Sequence, residues 1–212
     1  MLDVTLATKL FAAMFAIMNP LSIAPVFLAL TADLPSAGRR NAVIAMIATV
    51  TVGSLICALA GDGLLALFGI DVAHFRLAGG LIVLMIALSM LNGDASSSHA
   101  GSAAEQQHFA AADNPGIYPL GLPLAFGPGT MATIIVFAQS AHDPVQQAGF
   151  YAGLVGYLAF FAVAMALAPV LGARLSPTAL SISKRLMGII LAAIAMEMIG
   201  GALGAMFPGW LR

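Results

Sequence analysis

Charged residues are scarce in this sequence, which has 8 Lys and Arg and 9 Asp and Glu among 212 residues. So few charges cannot cover a water-soluble surface, which excludes a soluble globular enzyme and a disordered chain. The net charge of −1 excludes a basic surface for nucleic acid. The single cysteine, Cys57, excludes an internal disulfide framework and a cysteine-rich metal site. With 61% hydrophobic residues, the remaining class is an integral membrane protein.

Long runs with few or no charges mark the expected membrane spans. A spanning helix needs about 20 apolar residues. The candidate runs are 10–32, 41–61, 77–93, 114–142, 144–173 and 186–211. Asp143 followed by Pro144 predicts the start of the fifth helix, with Asp as the N-cap and Pro at the first helical position. We therefore expect an all-α membrane protein with six transmembrane helices and a single transmembrane domain over residues 1–212.

The distribution of Lys and Arg predicts the orientation of these six helices. The segment 94–116 is a polar loop between two halves, because it is rich in Ser, Ala and Gln. With six spans, the loops after helices 1, 3 and 5 share one side of the membrane. That side carries Arg39, Arg40, Arg174, Lys184 and Arg185, and the opposite side carries Lys9, Arg76 and Arg212. The excess of positive charge on the first side predicts that both termini lie outside.

Two landmarks recur with nearly the same offset and indicate an internal repeat. The motif Arg-Leu-x-Gly begins at Arg76 and again at Arg185, 109 positions later. Pro20 and Pro128, each inside an apolar run, are 108 positions apart. Each half holds three helices, an odd number, so the second half must insert upside down relative to the first. The sequence therefore predicts inverted repeats over about 5–93 and 117–208, an arrangement typical of secondary transporters.

The first helix of each predicted half, helix 1 or helix 4, is broken at prolines. Proline removes one N–H donor and frees the carbonyl four residues earlier, and such backbone persists in a membrane only inside protein or beside a cavity. Half-helix N-termini suit a carboxylate, and carbonyls with hydroxyls suit an ammonium group. The alternative is that the prolines only kink two packed helices. The predicted substrate-binding residues are Asn19, Pro20, Ser22, Gly127, Pro128, Gly129 and Thr130.

Glu197 is the one charge inside the last apolar run. It follows Arg185 by 12 residues, about 18 Å of helix, which predicts a position near mid-bilayer. A carboxylate there is a functional hypothesis by default, and its mid-membrane position makes it a candidate to carry a proton. Its small helical neighbours predict that it points into the bundle. The alternative is a protonated side chain that only joins helices. Enzyme and ATP-binding motifs are missing, so we expect no enzyme, no cofactor and no metal site.

The ordered motifs resemble those of the MarC family of membrane proteins. The run from Asn19-Pro20 to Pro25 resembles the family's N-P-x-x-x-x-P signature, and Gly127-Pro128-Gly129 looks like a second block. The resemblance covers about residues 5–207 and implies a multi-pass protein of the bacterial cytoplasmic membrane, which makes the predicted location of both termini periplasmic. Some relatives are described as transporters of small neutral amino acids. The resemblance therefore implies a secondary transporter or exporter of glycine-like or alanine-like substrates, and Glu197 is the candidate for proton coupling.

Two other functions stay open from the sequence. A membrane structural or interaction protein without transport predicts a dry, tightly packed core around Pro20 and Pro128. An antibiotic or drug efflux protein requires a wide apolar cavity, whereas glycine, serine and threonine occupy the candidate site. The expected partners are the lipid bilayer and a small-molecule substrate, without nucleic acid, and homo-oligomerisation is left open.

Overall fold

The computed structural model describes residues 2–92, 114–168 and 176–209, and every regular element in those ranges is helical. Residues 94–113 of the predicted polar loop 94–116, together with Arg174 and Arg212, lie outside the described residues. The elements are α1 (Val4–Met18), α2 (Pro20–Leu30), α3 (Ser36–Leu67), α4 (Val72–Asn92), a π-helical turn (Leu120–Ala125), α5 (Pro128–Gln139), α6 (Pro144–Ala166) and α7 (Pro177–Met206).

Five helical segments of the described chain are long and apolar enough to cross a membrane, whereas the sequence predicted six. They are α1 continued by α2, and α3, α4, α6 and α7. The difference is the fourth predicted span, which folds as the π-helical turn followed by the twelve-residue α5. Pro119 and Pro123 each lack an N–H donor, and Leu122 between them has extended backbone (φ −122°, ψ 128°). This run therefore cannot form one continuous helix.

Side-chain caps set the starts of the last two helices. The Asp143 carboxylate accepts hydrogen bonds from the N–H groups of Val145 and Gln146 at 2.8 and 2.9 Å, so the predicted start of the fifth span is confirmed. The prediction that the last helix begins at 186 was wrong. The Ser176 hydroxyl oxygen accepts the Ala179 N–H at 3.2 Å, and α7 begins at once with Pro177.

The irregular segment and α5 run parallel to α3. Glycines on both segments allow the two backbones to approach closely, because a Cβ at any of these glycines would collide with atoms of the other segment. In chain order, the contacts pair Gly116 with Ala42, Gly121 with Thr49, Phe126 with Gly53, and Ile135 with Gly61. The segment from 116 to 135 therefore passes along α3 from near its start to near its end.

The helix α1 runs parallel to α6 in the same manner. A Cβ at Gly153 would lie 2.6 Å from the Ala7 carbonyl oxygen. Further along, the Phe11 and Tyr157 rings make an edge-on contact with centroids 5.5 Å apart. These contacts place the start of α1 beside the start of α6.

The helices α4 and α7 pack antiparallel through two glycines. A Cβ at Gly80 would lie 2.7 Å from Ile199 Cγ1, and one at Gly188 would lie 3.1 Å from Leu91 Cγ. Small residues at a helix crossing let the backbones approach, which is a common way of joining membrane helices.

Large apolar side chains cover much of the outer surface of the bundle. Soluble proteins rarely expose so many large apolar side chains together, whereas lipid chains favour contact with them. Examples more than half exposed are Ile44, Leu59, Met85, Val155, Val163 and Ile189. The fold is thus that of a multi-pass helical membrane protein.

Candidate functional site

Asn19 forms the break between α1 and α2. Its N–H donates to the Phe15 carbonyl at 3.0 Å and completes α1, while its own carbonyl accepts the Ser22 and Ile23 N–H groups at 2.9 and 3.2 Å. Its φ of 28° is positive, a conformation that Asn tolerates better than most residues but that still costs about 1–2 kcal/mol. Pro20 follows as the first residue of α2, where its missing N–H costs nothing.

The Asn19 side chain is buried without a hydrogen-bond partner. The residue is 2% exposed, and neither Nδ2 nor Oδ1 has a partner within the described residues. The Ser22 hydroxyl, one turn into α2, is also buried and unpaired there. Leaving such groups unpaired costs about 1–3 kcal/mol each. Because native proteins rarely accept that cost, these atoms mark a place where a ligand or water would bind.

The second break lies between the π-helical turn and α5. Gly127 is the N-cap with extended backbone, Pro128 is the first helical residue, and the Met131 N–H donates to the Gly127 carbonyl at 3.1 Å. The N–H groups of Gly129 and Thr130 have no acceptor in the part of the chain that the structure describes. The Thr130 hydroxyl is buried and donates to the Ala125 carbonyl at 3.2 Å, which leaves its oxygen able to accept. The start of α5 therefore presents two free N–H donors and a hydroxyl.

The two breaks lie close together in the interior. A Cβ at Gly129 would lie 2.7 Å from Ile86 Cδ1 on α4 and 3.9 Å from Ile17 Cγ2, and Ile17 is only two residues before Asn19. The helix α1 also packs against α5, and α2 packs against the π-helical turn. The approach of Ile17 to Gly129 thus places the start of α5 close to the end of α1, next to the first break.

The predicted binding residues are not equally buried. Four of the seven are buried at the two breaks, Ser22 and Gly127 are partly buried, and Pro128 is exposed. Pro20 is one of the four but offers no hydrogen-bonding side chain. The three buried residues with polar groups are Asn19, Gly129 and Thr130.

Thr133 is a further buried polar residue that the sequence motifs did not indicate. This residue is fully buried, and its hydroxyl has no hydrogen-bond partner within the described residues. It follows Thr130 by three positions on α5, so both hydroxyls lie on one helix face. The spacing of two threonines after Pro128 was the signal that could have identified it.

Glu197 pairs with Lys9 across α1 and α7. The Lys9 Nζ atom lies 2.6 Å from Glu197 Oε1, and the two side chains are 51% and 59% exposed. Glu197 therefore opens towards a cavity instead of packing between small side chains. The sequence did not indicate Lys9 as its partner, although the six predicted spans would place the start of α1 and the end of α7 on one side.

A cavity of about 180 Å³ surrounds this ion pair. Arg76 lines it from α4 and Ser140 from the end of α5. The Arg76 guanidinium lies over α7, where a Cβ at Gly201 would be 3.1 Å from Cζ. Its Nε is buried and unpaired among the described residues. We call this cavity, with Lys9, Arg76, Ser140 and Glu197, the charged pocket.

Apolar crevices flank both breaks. The larger, about 620 Å³, lies between α3 and the second break and is lined by residues that include Val52, Ile56 and Phe126. The smaller, about 230 Å³, lies between the first break and α6 and includes Pro20 and Phe160. The sequence did not indicate either crevice, because each is formed by residues far apart in the chain.

Comparisons with known proteins agree on one family. The family described as "MarC family integral membrane protein" matches residues 4–207. The chain is 32% identical over 204 residues to the UPF0056 membrane protein YhcE of Escherichia coli, covering 96% of this chain and 94% of that protein. It is 31% identical over 201 residues to YvbG of Bacillus subtilis, covering 93% and 94%. No solved structure is significantly similar to the chain.

Proposed function

Because the chain belongs to the MarC family of integral membrane proteins, and because unpaired polar groups lie at both of its helix breaks, we propose that it is a secondary transporter or exporter of small neutral amino acids. The observation that carries the proposal is the buried Asn19 side chain, unpaired among the described residues, at a break that lies close to the one with the free N–H groups of Gly129 and Thr130. Glycine-like and alanine-like zwitterions are the substrates that this arrangement suits best.

The chemistry of the breaks matches both ends of such a zwitterion. Free N–H groups at the start of α5, together with the positive end of the helix dipole, favour a carboxylate. The Asn19 amide oxygen and the Ser22 hydroxyl are unpaired acceptors and favour an ammonium group. Close packing of Ile86 and Ile17 around Gly129 leaves little room for a large side chain and favours a small substrate.

Inverted repeats would explain why each half of the chain carries such a break. The offset of 108 relates Ser22 to Thr130, and the start of α3 at Ser36 to the start of α6 at Pro144. It also relates the contact of Gly80 with Ile199 to that of Gly188 with Leu91. In this proposal the irregular segment and α5 make a sixth membrane crossing, and one half rocks against the other to expose the breaks alternately.

We further propose that the protein lies in the cytoplasmic membrane with both termini on the periplasmic side. The count of Lys and Arg in the loops supports this orientation. In intact cells, a Leu2→Cys variant made in a Cys57→Ala background should react with a membrane-impermeant thiol reagent. Reaction only after the membrane is opened would reverse the proposed orientation.

Uptake by the purified protein in liposomes tests the transport proposal. Radiolabelled glycine and alanine should accumulate when a proton gradient is imposed, and Glu197→Gln should lose the gradient-driven part if Glu197 couples proton movement to transport. Uptake that persists in Glu197→Gln would keep the transporter and remove the coupling role. A correctly folded protein that moves neither amino acid under any imposed gradient would overturn the proposal.

The larger apolar crevice favours a second candidate function, drug efflux. Its volume of about 620 Å³ is in the range of sites for drug-sized ligands. Efflux of a lipophilic cationic dye from proteoliposomes, blocked by Val52→Trp or Ile56→Trp, would support this function. Movement of neither amino acids nor dye would favour a structural or interaction protein without transport.

A further inference from the structure

We propose that the charged pocket is a second amino-acid binding site, distinct from the helix breaks, that holds a zwitterion at the end of the bundle where α1 begins. In this site the Glu197 carboxylate would accept hydrogen bonds from the substrate ammonium, and the Arg76 guanidinium would bind the substrate carboxylate. The substrate class rests on the proposed function, whereas the site rests on the pocket itself.

The charges that line the pocket are complementary to a zwitterion. Two cationic groups, on Lys9 and Arg76, and one carboxylate, on Glu197, line a cavity of about 180 Å³. Lys9 already places an ammonium 2.6 Å from the Glu197 carboxylate, the contact that a substrate ammonium would make in its place. Both side chains are about half exposed, so the exchange requires no movement of the core.

Arg76 supplies the second half of the site. Its Nε atom is buried and has no partner within the described residues, although guanidinium groups are usually hydrogen-bonded when they are removed from water. A carboxylate is the group that Arg binds best, because its planar fork donates two parallel hydrogen bonds. An Arg beside an open cavity, with its Nε unpaired among the described residues, therefore points to an anionic group that is bound there.

The pocket lies in line with the helix break but is closed off from it. Val136, in its wall, follows Thr130 by six residues on α5, about 9 Å of helix. Val136 and Met198 are both 3% exposed, and Met198 Cε would lie 3.4 Å from a Cβ at Gly79 on α4. Apolar packing thus separates the two sites, and a substrate held in the pocket would reach the break only when α4, α5 and α7 move apart.

Protection of a cysteine in the pocket tests this inference without any transport assay. Ser140→Cys in a Cys57→Ala background places one thiol in the pocket wall of the full-length protein in detergent. Its modification by an anionic methanethiosulfonate should be slowed by glycine, about tenfold at ten times the dissociation constant. Acetate and methylamine, which each carry only one of the two charges, should protect only at much higher concentrations.

Charge variants then identify the groups that bind. Glu197→Gln should raise the glycine concentration for half protection by about tenfold or more, the effect of losing one charge-assisted hydrogen bond. Lys9→Met should lower that concentration, because it frees Glu197 for the substrate. Gly156→Ala should leave it unchanged, because a Cβ at Gly156 on α6 meets no atom within 4 Å and lies in neither site.

The outcomes decide between the pocket and the transport proposal. A thiol that does not react, no protection by glycine, or equal protection by acetate would overturn the zwitterion site. So would protection that survives Glu197→Gln but is lost in Asn19→Gly, since it would arise from binding at the break. Protection by glycine without transport would support the zwitterion site and contradict the proposed function. Transport without protection would support the proposed function and contradict the zwitterion site.

Discussion

Replacing Asn19 with glycine is expected to stabilise the protein and to remove substrate binding at the break. The wild-type residue has a positive φ of 28° and a buried amide without partners. Glycine removes the unpaired amide, a gain of about 1–3 kcal/mol, and relieves about 1 kcal/mol of backbone strain. The greater backbone entropy of glycine and the lost side-chain packing offset about 1–2 kcal/mol of this gain.

The expected net gain of about 1 kcal/mol corresponds to a rise in Tm of about 2–4 °C for a chain of this size. Asn19→Ala is the matched control, because it also removes the amide but retains the strain of a positive φ. It should be less stable than Asn19→Gly by about 1–2 kcal/mol. Thermal unfolding in one detergent, with the three proteins compared side by side, measures both differences.

Added substrate completes the test. Glycine at about 100 times its dissociation constant should stabilise the wild type by about 2.7 kcal/mol, and this stabilisation should largely disappear in Asn19→Gly. If Asn19→Gly unfolds at a lower temperature than the wild type, yet keeps its full response to glycine, both expectations are wrong. That result would mean that the amide is paired inside the protein and does not contact substrate.

Three further predictions follow from helix packing and charge. Gly129→Ala brings a Cβ to 2.7 Å from an isoleucine of α4, so it should destabilise the protein by about 1–3 kcal/mol and reduce transport; an unchanged Tm would contradict the close approach. Gly153→Ala collides with the α1 backbone and should lower the Tm, whereas Gly156→Ala on the same helix meets no atom within 4 Å and should stabilise by up to about 1 kcal/mol; equal effects would argue against the packing of α1 on α6. A double-mutant cycle of Lys9→Met and Glu197→Gln, measured by thermal unfolding, should give a coupling of a few tenths to about 1 kcal/mol because both side chains are half exposed; zero coupling would mean that the pair does not form.

The local features of the fold were predictable from the sequence because they depend on neighbouring residues. Asp143 followed by Pro144 indicated a helix start, and the structure has α6 begin there. The prolines at 20 and 128 indicated breaks, and the structure has a helix begin at each. The start of α7 was misjudged because absence of charge was used as the criterion, although Ser176 and Pro177 provide a cap and a first turn nine residues earlier.

Features that depend on distant residues were not predictable in the same way. The partner of Glu197 is 188 positions away in the chain, and no local pattern joins it to Lys9. The unpaired state of the Asn19 amide likewise depends on how the surrounding helices pack, because its burial cannot be read from the residues next to it. The sequence identified the polar residues at the breaks, whereas the charged pocket required the assembled bundle.

Counterflow tests whether the two breaks form an alternately accessible site for small amino acids. The test does not depend on the identity of the coupling ion. Proteoliposomes loaded with unlabelled glycine are diluted into a trace of labelled glycine, and the label inside is followed with time. We expect a transient accumulation of label with the wild type and with Gly156→Ala, and none with Asn19→Gly. No accumulation with correctly folded wild-type protein, or equal accumulation with Asn19→Gly, would contradict an alternately accessible site at the breaks.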